Sequence, residues 1–239
     1  MEFNIFHEEL SQKLQQIDIE ITERQTQMFY EYMNILIEWN EKMNLTTIIN
    51  PTDIITKHFL DSLTILKHIK DGSSIIDIGT GAGFPGIPLK IYREDTRITL
   101  LDSLNKRIVF LEEVINTLRM KNIQAIHARA EEFGRLSEYR EQYDIATSRA
   151  VSSLNSLLEY MSPFIKVGGK LICMKGPKLM EELDESKNAM KELGLEVVNL
   201  EQIALPNMEM ERNLLIVKKI ASTPDKYPRR ATNIKKLPL

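Results

Sequence analysis

The chain has 239 residues, of which 43% are hydrophobic and 27% are charged. This length and composition suit one or two folded domains and exclude a disordered or collagen-like chain. The single cysteine, Cys173, excludes an intramolecular disulfide framework and a multi-cysteine zinc site. Uncharged runs fall short of the roughly 18 apolar residues of a membrane span, and the acidic N-terminus does not resemble a signal peptide. We therefore expect a cytoplasmic protein that does not associate with membranes.

The net charge of −3 is unevenly distributed along the chain. Residues 218–239 contain seven Lys/Arg and one Asp, so this segment carries +6 and residues 1–217 carry −9. With its tyrosine and three prolines, the segment is compatible with an extended arm that lies on phosphates. A solvated, frayed terminus would explain the same charges.

The first 70 residues show helical periodicity. Residues 5–16 predict a short helix, and a further helix is predicted over residues 52–69. Between them, Thr22 and Gln25 predict a capping box at the start of a long amphipathic helix. The apolar stripe of that helix, which we interpret as core, consists of Met28, Phe29, Tyr32, Ile35, Leu36, Trp39 and Met43.

After Gly72 the pattern changes to short β-rich runs that alternate with helices. Strands are predicted at 74–78, 97–101, 123–127, 143–147, 170–174, 195–205 and 214–219. Helices are predicted between the first six, at 87–92, 106–119, 131–136, 151–165 and 178–193. Such alternation indicates a parallel sheet covered on both faces.

The last two strands lack an intervening helix and are joined by a turn at Leu205-Pro206-Asn207, so we expect them to be antiparallel. This arrangement predicts an α/β, Rossmann-like fold of the class I S-adenosylmethionine-dependent methyltransferase type, with seven strands. We expect a helical extension at residues 1–70, a methyltransferase domain at 71–220 and a basic tail at 221–239.

The strongest local motif is the segment IIDIGTGAGFPG, residues 75–86. A buried strand is followed by Gly79, Gly81 and Gly83, and glycine at such a turn lets a ligand approach the main chain. Asp77 lies one residue inside the strand end, where it can orient the loop amides or bind a ligand amine. The motif predicts a cofactor site at Asp77 and these glycines.

Two cofactor classes fit this loop. Gly81, Gly83 and Gly86 satisfy the G-x-G-x-x-G pattern of dinucleotide-binding proteins, whereas Gly79, Gly81 and Gly83 satisfy the methyltransferase pattern. The dinucleotide pattern begins two residues late, and the prolines at 85 and 88 delay the helix that would face a pyrophosphate. A tight turn without a ligand would need fewer glycines.

The ends of the next strands supply further candidates. Asp102, 19 residues after Gly83, can accept both ribose hydroxyls of an adenosine, which nicotinamide and methionine cofactors share; capping of the next helix is the alternative. Residues 127–132 follow the third strand and are placed to face an adenine edge, although an acid-rich helix start is a rival explanation. Arg149 lies just beyond the fourth strand, where an arginine beside a ligand is more often functional than a surface arginine elsewhere.

Six motifs, in unbroken order between about residue 25 and Pro228, resemble the bacterial 16S ribosomal RNA guanine methyltransferases, also called glucose-inhibited division protein B. The motifs are Trp39–Thr46, Lys57–Ser62, Asp77–Gly86, Asp102–Arg107, Arg129–Glu131 and Ser148–Ala150. The resemblance implies methylation of ring nitrogen 7 of a guanine in the 530 loop of 16S rRNA, as RNA or within the small ribosomal subunit, with S-adenosyl-L-methionine as cofactor. It implies cofactor contacts at Gly79, Phe84, Ala130, Glu131 and Arg149.

Ring nitrogen 7 of guanine loses no proton on methylation, so the expected chemistry needs no general base, and we assign no catalytic residue. Cys173 lies inside a predicted strand, which indicates a buried apolar role, and the four histidines lack metal-ligand spacing. We expect a monomer without a metal.

The candidate RNA contacts are Lys106, Arg107, Lys175, Lys178, Arg229 and Arg230. A nicotinamide-dependent oxidoreductase and a non-enzymatic RNA-binding factor that uses the tail are the alternative functions.

Overall fold

A computed structural model of the chain describes residues 1–149, 152–205 and 212–239. Its centre is one sheet of seven strands. The strands are β1 (Ser74–Ile78), β2 (Arg97–Asp102), β3 (Ile123–His127), β4 (Tyr143–Arg149), β5 (Ile165–Lys175), β6 (Leu195–Ile203) and β7 (Arg212–Lys219). Each one overlaps a strand expected from the sequence, so the predicted series of strands is confirmed.

The strands lie in the order β3-β2-β1-β4-β5-β7-β6 across the sheet. Neighbours among β1 to β5 are parallel, with Ile75 of β1 opposite Ile98 of β2 on one side and Ile145 of β4 on the other. Strand β7 is antiparallel to both β5 and β6, which confirms the predicted mixed sheet. Of the predicted turn, Pro206 and Asn207 lie outside the described residues.

Helices cover both faces of the sheet. They are α1 (Phe3–Gln15), α2 (Glu23–Met43), α3 (Pro51–Ile54), α4 (Asp61–Leu63), α5 (Gly86–Tyr92), α6 (Asn105–Thr117), α7 (Ala130–Phe133), α8 (Leu154–Met161), α9 (Leu179–Glu185), α10 (Lys187–Leu193) and α11 (Ala231–Lys236), with a π-helix at Ile55–Leu60 and 3₁₀ turns at Leu66–His68 and Ser162–Phe164. Successive strand residues point to opposite faces. Ile75 therefore joins the core beneath α1, α2, α5 and α6, and Ile76 joins the core beneath α8 and α10.

The N-terminal helices pack onto the sheet. The Thr22 side chain accepts a hydrogen bond from the Gln25 amide, and the Gln25 side chain accepts one from the Thr22 amide, so the capping box is confirmed. Within the stripe of α2, Tyr32 and Leu36 are fully buried, and half-buried Trp39 packs edge-on against Phe110. Apart from Met43, the stripe belongs to the core, as expected.

The helix expected over residues 52–69 is wrong in its detail. A π-helix at Ile55–Leu60 widens it, and the chain then passes through α4 into a separate 3₁₀ turn. Within the π-helix the Lys57 carbonyl accepts a hydrogen bond from the Arg149 guanidinium (2.9 Å). Single-turn π segments occur at functional positions, and this one turns His58 and Asp61 towards the end of β4.

Two other predicted helices are shorter than expected. The helix predicted over 178–193 is divided into α9 and α10 at Ser186, whose hydroxyl donates to the Glu182 carbonyl (2.6 Å) and competes with the helical pattern. The helix predicted over 151–165 ends at Met161, because Pro163 has no amide proton to continue it. Strand β5 consequently begins at Ile165.

The basic tail does not form the extended arm considered above. Tyr227 is 4% exposed, and the chain ends in helix α11, which packs against α8. Two arginines of the body, Arg135 and Arg140, hold the main chain that leads to α11. Their guanidinium groups donate to the carbonyl oxygens of Thr223, Pro224, Lys226, Tyr227 and Pro228.

A buried ion pair completes this attachment. Glu159 of α8 is fully buried, and its carboxylate accepts hydrogen bonds from the Arg229 amide (2.7 Å) and from the Arg229 guanidinium at both oxygens (2.6 and 2.9 Å). Burial of a carboxylate is tolerated only when such partners replace its water. Arg229 is therefore a structural residue of the tail.

In the part of the chain that the structure describes, no helix has the length and apolar character needed to cross a membrane.

We predict that Arg229→Ala destabilises the protein by about 3–5 kcal/mol, because it leaves the buried Glu159 carboxylate without its charged partner. Urea unfolding followed by circular dichroism measures the loss. Arg230→Ala is the matched control, since its side chain is exposed and should change the free energy of unfolding by less than about 0.5 kcal/mol. Equal stability of the two variants would contradict the assignment.

Candidate functional site

A cleft of about 250 Å³ opens at the carboxyl ends of β1, β2 and β3. In open α/β sheets this edge is where ligands bind. The predicted residues Gly79, Asp102, Ala130 and Glu131 line it together. Residues 79, 102 and 130–131 are far apart in sequence, and the parallel strands bring them to one place.

The glycine loop is fixed to the neighbouring strand by main-chain hydrogen bonds. The amides of Gly79 and Thr80 both donate to the Leu101 carbonyl (2.8 and 3.1 Å). Gly79 and Gly81 have φ values of +68° and +65°, which favour glycine. A Cβ at Gly81 would meet nothing closer than the Gly79 carbonyl at 4.0 Å, so open space lies beside it. Gly79 lines the cleft, whereas Gly81 and Asp77 are not among the lining residues.

Gly83 has a different role from the one predicted. Its φ is +97°, and a Cβ there would lie 2.5 Å from Ile87 Cδ1 and 3.0 Å from the Tyr32 hydroxyl. These atoms belong to the core between the sheet and α2. The structure places Gly83 in tight packing behind the loop, and it is not among the residues that line the cleft.

Asp77 supports the loop from below. Its side chain is fully buried, and Oδ2 accepts hydrogen bonds from the Thr80 hydroxyl (2.6 Å) and the Gly86 amide (2.9 Å). Oδ1 has no hydrogen-bond partner. Burial raises the pKa of Asp77 to about 6, against the lowering effect of these two donors. An unpartnered carboxylate oxygen beneath a ligand loop is suited to a cationic group or a water held by one.

Asp102 joins β2 to the glycine loop. One oxygen accepts hydrogen bonds from the Gly81 amide (3.0 Å) and the Arg107 guanidinium (3.0 Å), and the other accepts from the Leu104 amide (2.9 Å). The carboxylate is 2% exposed and still borders the cleft. The alternative role, capping of the next helix, is wrong, because Leu104 is the N-cap of α6 and no side chain caps that helix. The position of Asp102 at the cleft is compatible with an acceptor for a ligand.

The opposite wall of the cleft contains residues that the sequence did not indicate. They are Ser152, Ser156 and Tyr160, in or just before α8, and Ala231 and Lys235 of α11. Local sequence patterns carry no signal for them, because they reach the cleft through the packing of α8 and the return of the tail. Glu131, with a side chain 11% exposed, faces this wall.

Phe84 and Arg149 lie in a second cluster beside the loop and outside the cleft lining. The Arg149 guanidinium lies 4.9 Å from the centre of the Phe84 ring and donates to Asp61 Oδ2 (3.0 Å) and His58 Nδ1 (3.0 Å). Arg212 of β7 also approaches Asp61 (3.5 Å). The cluster connects the π-helix to the end of β4.

His58 is a neutral structural residue in this cluster. Because Arg149 can only donate, His58 Nδ1 must accept, and His58 Nε2 then donates to the Thr46 hydroxyl (3.0 Å). The imidazole stacks on Phe84, with ring centres 4.3 Å apart. Burial and the Arg149 charge lower the pKa of His58 to about 3, so it stays uncharged at neutral pH.

The candidate RNA contacts divide into two groups. Lys106, Lys178 and Arg230 are exposed and available to a partner. Lys175 is 7% exposed and binds the Glu182 carboxylate and the Ser152 carbonyl (both 2.6 Å), while Arg229 binds Glu159. The structure is inconsistent with free RNA contacts at Lys175 and Arg229. Arg107, half-buried, is paired with Asp102.

Across residues 1–149, 152–205 and 212–239, no group of three or more His, Cys, Asp or Glu side chains is arranged to hold a metal ion.

Comparison with known proteins gives consistent results. Residues 25–215 match the family described as rRNA small subunit methyltransferase G. The chain is 49% identical to ribosomal RNA small subunit methyltransferase G of Alkaliphilus metalliredigens, over 94% of this chain and 95% of that protein. It is 51% identical to the protein of the same name from Thermoanaerobacter sp., over 88% of this chain and 89% of that protein.

Solved structures share the fold at low sequence identity. A SAM-dependent methyltransferase from Aquifex aeolicus superposes with a TM-score of 0.56 at 18% identity, covering 73% of this chain and 97% of that one. TYW2 of M. jannaschii in complex with AdoMet gives a TM-score of 0.53 at 16% identity, covering 67% of this chain and 74% of that one. These likenesses confirm the class I methyltransferase fold.

We predict that Gly81→Val weakens binding of S-adenosylhomocysteine about tenfold or more, because a branched side chain would occupy the open side of the loop. Isothermal titration calorimetry measures the dissociation constant. Gly72→Val is the matched control, since Gly72 also has a positive φ (+68°) and open space at its Cβ but precedes the amino end of β1, at the opposite end of the strand from the cleft. If both variants bind like the unmodified chain, the placement of the ligand at this loop is wrong.

Proposed function

The chain belongs to the rRNA small subunit methyltransferase G family, and from this membership we propose that its target is ring nitrogen 7 of a guanine in the 530 loop of 16S rRNA. It is an S-adenosylmethionine-dependent methyltransferase that acts on small-subunit rRNA. The finer choice of atom and loop follows the resemblance of the six sequence motifs. Because small-subunit rRNA is its substrate, we place its activity in the cytoplasm, as a monomer that acts on RNA or on the assembled subunit.

The cleft residues fit a nucleoside that carries an amino acid. Bound S-adenosylmethionine supplies an electrophilic methyl group on a positively charged sulfur. The Asp102 carboxylate borders the cleft where ribose hydroxyls can donate to it, and Ala130 and Glu131 border the part that suits an adenine edge. Asp77, buried under the loop, has one oxygen without a hydrogen-bond partner, and we assign this oxygen to the amino-acid group of the ligand. Phe84 and Arg149 then support the loop from the neighbouring cluster.

The chemistry available at this site supports a ring nitrogen as the acceptor. Enzymes that methylate ring carbon 5 of pyrimidines need an attacking cysteine, and Cys173 is fully buried with its pKa raised to about 12 by burial. Exocyclic-amine methyltransferases usually carry an Asp/Asn-Pro-Pro-aromatic run after the fourth strand, and residues 147–153 contain no proline. Nitrogen 7 is already nucleophilic, so orientation is the main requirement; it is worth about 7–11 kcal/mol of a barrier.

The observation that carries this proposal is the match to the family over residues 25–215, joined to a cleft lined by the predicted adenosine-binding positions. The proposed contacts to RNA phosphates are three exposed basic residues, Lys106, Lys178 and Arg230. Loss of any one of these phosphate contacts should weaken RNA binding without changing the site of methylation.

Incubation of the protein with methyl-labelled S-adenosylmethionine and unmethylated small ribosomal subunits, or with naked 16S rRNA, tests the proposal. We expect the label in 7-methylguanine, within the fragment that contains the 530 loop, after nuclease digestion and chromatography. Label in an exocyclic methylamine, in a methylated pyrimidine or in another fragment would contradict the proposed target atom or loop. Comparison of the two substrates shows which assembly state is preferred.

The pKa of Asp77 predicts a pH-dependent affinity. A ligand ammonium beside this carboxylate lowers its raised pKa, so binding releases a proton and tightens as Asp77 ionises. Arg149 lowers and Asp102 raises the pKa of Asp77, and both belong to the free protein. We predict that affinity for S-adenosylhomocysteine rises about tenfold between about pH 5 and pH 7.

Titration calorimetry at several pH values measures this slope, with Asp77→Asn as the control that cannot ionise. The slope should be absent in the variant, and the same slope in both proteins would assign it to another group.

The stability of the free protein should change in the opposite sense. Because the folded pKa is raised, Asp77 contributes stability below about pH 4 that is lost as the pH rises through about 6.

A further inference from the structure

Helix α11 borders the same cleft as the adenosine-binding positions. Ala231 and Lys235, one turn apart on α11, line it together with Ala130 and Glu131. The family match covers residues 25–215, and α11 lies after it. We propose that α11 forms the outer wall of the cofactor site, with Ala231 and Lys235 in contact with the adenosine end of the bound cofactor.

This inference rests on the proposed cofactor site, and the attachment of α11 gives it physical support. A wall that contributes to affinity must already be in place before the ligand arrives. Ile234, which lies between the two cleft residues in sequence, is fully buried, and α11 packs against α8. The helix therefore presents one face to the body and its neighbouring face to the cleft.

The segment before α11 is held at several points. The buried pair of Arg229 and Glu159 lies two residues before the helix. Further back, Tyr227 is buried and its hydroxyl donates to Glu192 (2.9 Å). With the guanidinium groups of Arg135 and Arg140 on its main-chain carbonyls, this segment fixes the position from which α11 starts.

The two cleft residues suit different parts of a wall. Ala231 is small, and its half-buried position leaves room for a flat ring beside it. Lys235 is exposed, and its ammonium has three donors for the nitrogen and hydroxyl acceptors of an adenosine, while its stem covers apolar surface. Glu131 across the cleft supplies a negative charge that favours an ammonium on this side.

A side chain that fills the wall tests the proposal directly. Ala231→Trp should raise the dissociation constant for S-adenosylhomocysteine about tenfold or more in titration calorimetry without RNA. Thr232→Trp is the matched control, because residue 232 is exposed on the same helix and does not line the cleft; it should change affinity less than about twofold. Unchanged or tighter binding by Ala231→Trp would overturn the proposal.

A labelling experiment does not depend on how Ala231→Trp folds. Cys173 is the only cysteine and is fully buried, so Lys235→Cys introduces one reactive thiol on the cleft side of α11. Saturating S-adenosylhomocysteine should slow its modification by maleimide about fivefold or more, and should leave Lys236→Cys, on the adjacent exposed position, within about twofold. Equal rates with and without ligand at residue 235 would overturn the proposal.

The two hypotheses fail in different ways. If the unmodified chain does not bind S-adenosylhomocysteine in calorimetry, the proposed cofactor site fails. If the unmodified chain binds the ligand, and Gly81→Val weakens it while Ala231→Trp and the labelling rate at residue 235 do not respond, the cofactor site stands and the wall formed by α11 is wrong.

Discussion

The hydrogen bond between the Gly81 amide and the Asp102 carboxylate is the contact on which the site depends. It joins the loop after β1 to the end of β2, beside the two bonds from the loop to the Leu101 carbonyl. An unpaired carboxylate at this depth would be costly, and an unsupported glycine loop would be too mobile to shape a cleft. The hydrogen bond from Gly81 to Asp102 gives the carboxylate a partner and also holds the loop, and the Arg107 guanidinium balances the negative charge of Asp102.

The same loop is constrained from behind by packing. Gly83 allows Ile87 and Tyr32 to approach the main chain, and a Cβ at Gly86 would collide with Leu100. Since Tyr32 comes from α2, the N-terminal helices are part of the support of the loop. Their other attachment is the Arg149 cluster, where Asp61 and His58 from the π-helix segment receive its guanidinium. The N-terminal extension thus positions the cofactor loop without lining the cleft.

The sequence predicts the fold well because its information is local. Alternating strands and helices, the capping box at Thr22 and the reversed β7 all depend on neighbouring residues, and all are found in the structure. The positions at strand ends, Gly79, Asp102 and Glu131, are predictable because parallel strands end at one edge. The π-helix is not, since it has the same apolar pattern as an α-helix, and neither is the far wall of the cleft, which depends on long-range packing.

The tail shows why the net charge of a segment is a poor guide to whether that segment binds a nucleic acid. The +6 of residues 218–239 suggests a long basic arm, but Lys219, Lys226 and Arg229 are paired with Glu141, Glu192 and Glu159 of the acidic body. These pairs fold the tail back and use its charge within the molecule. The exposed positions Arg230 and Lys236 are among those left for a nucleic acid. A segment whose composition indicates RNA binding therefore serves first as a structural part of the domain. It is held there because its positive charges pair with the negative charges of the body.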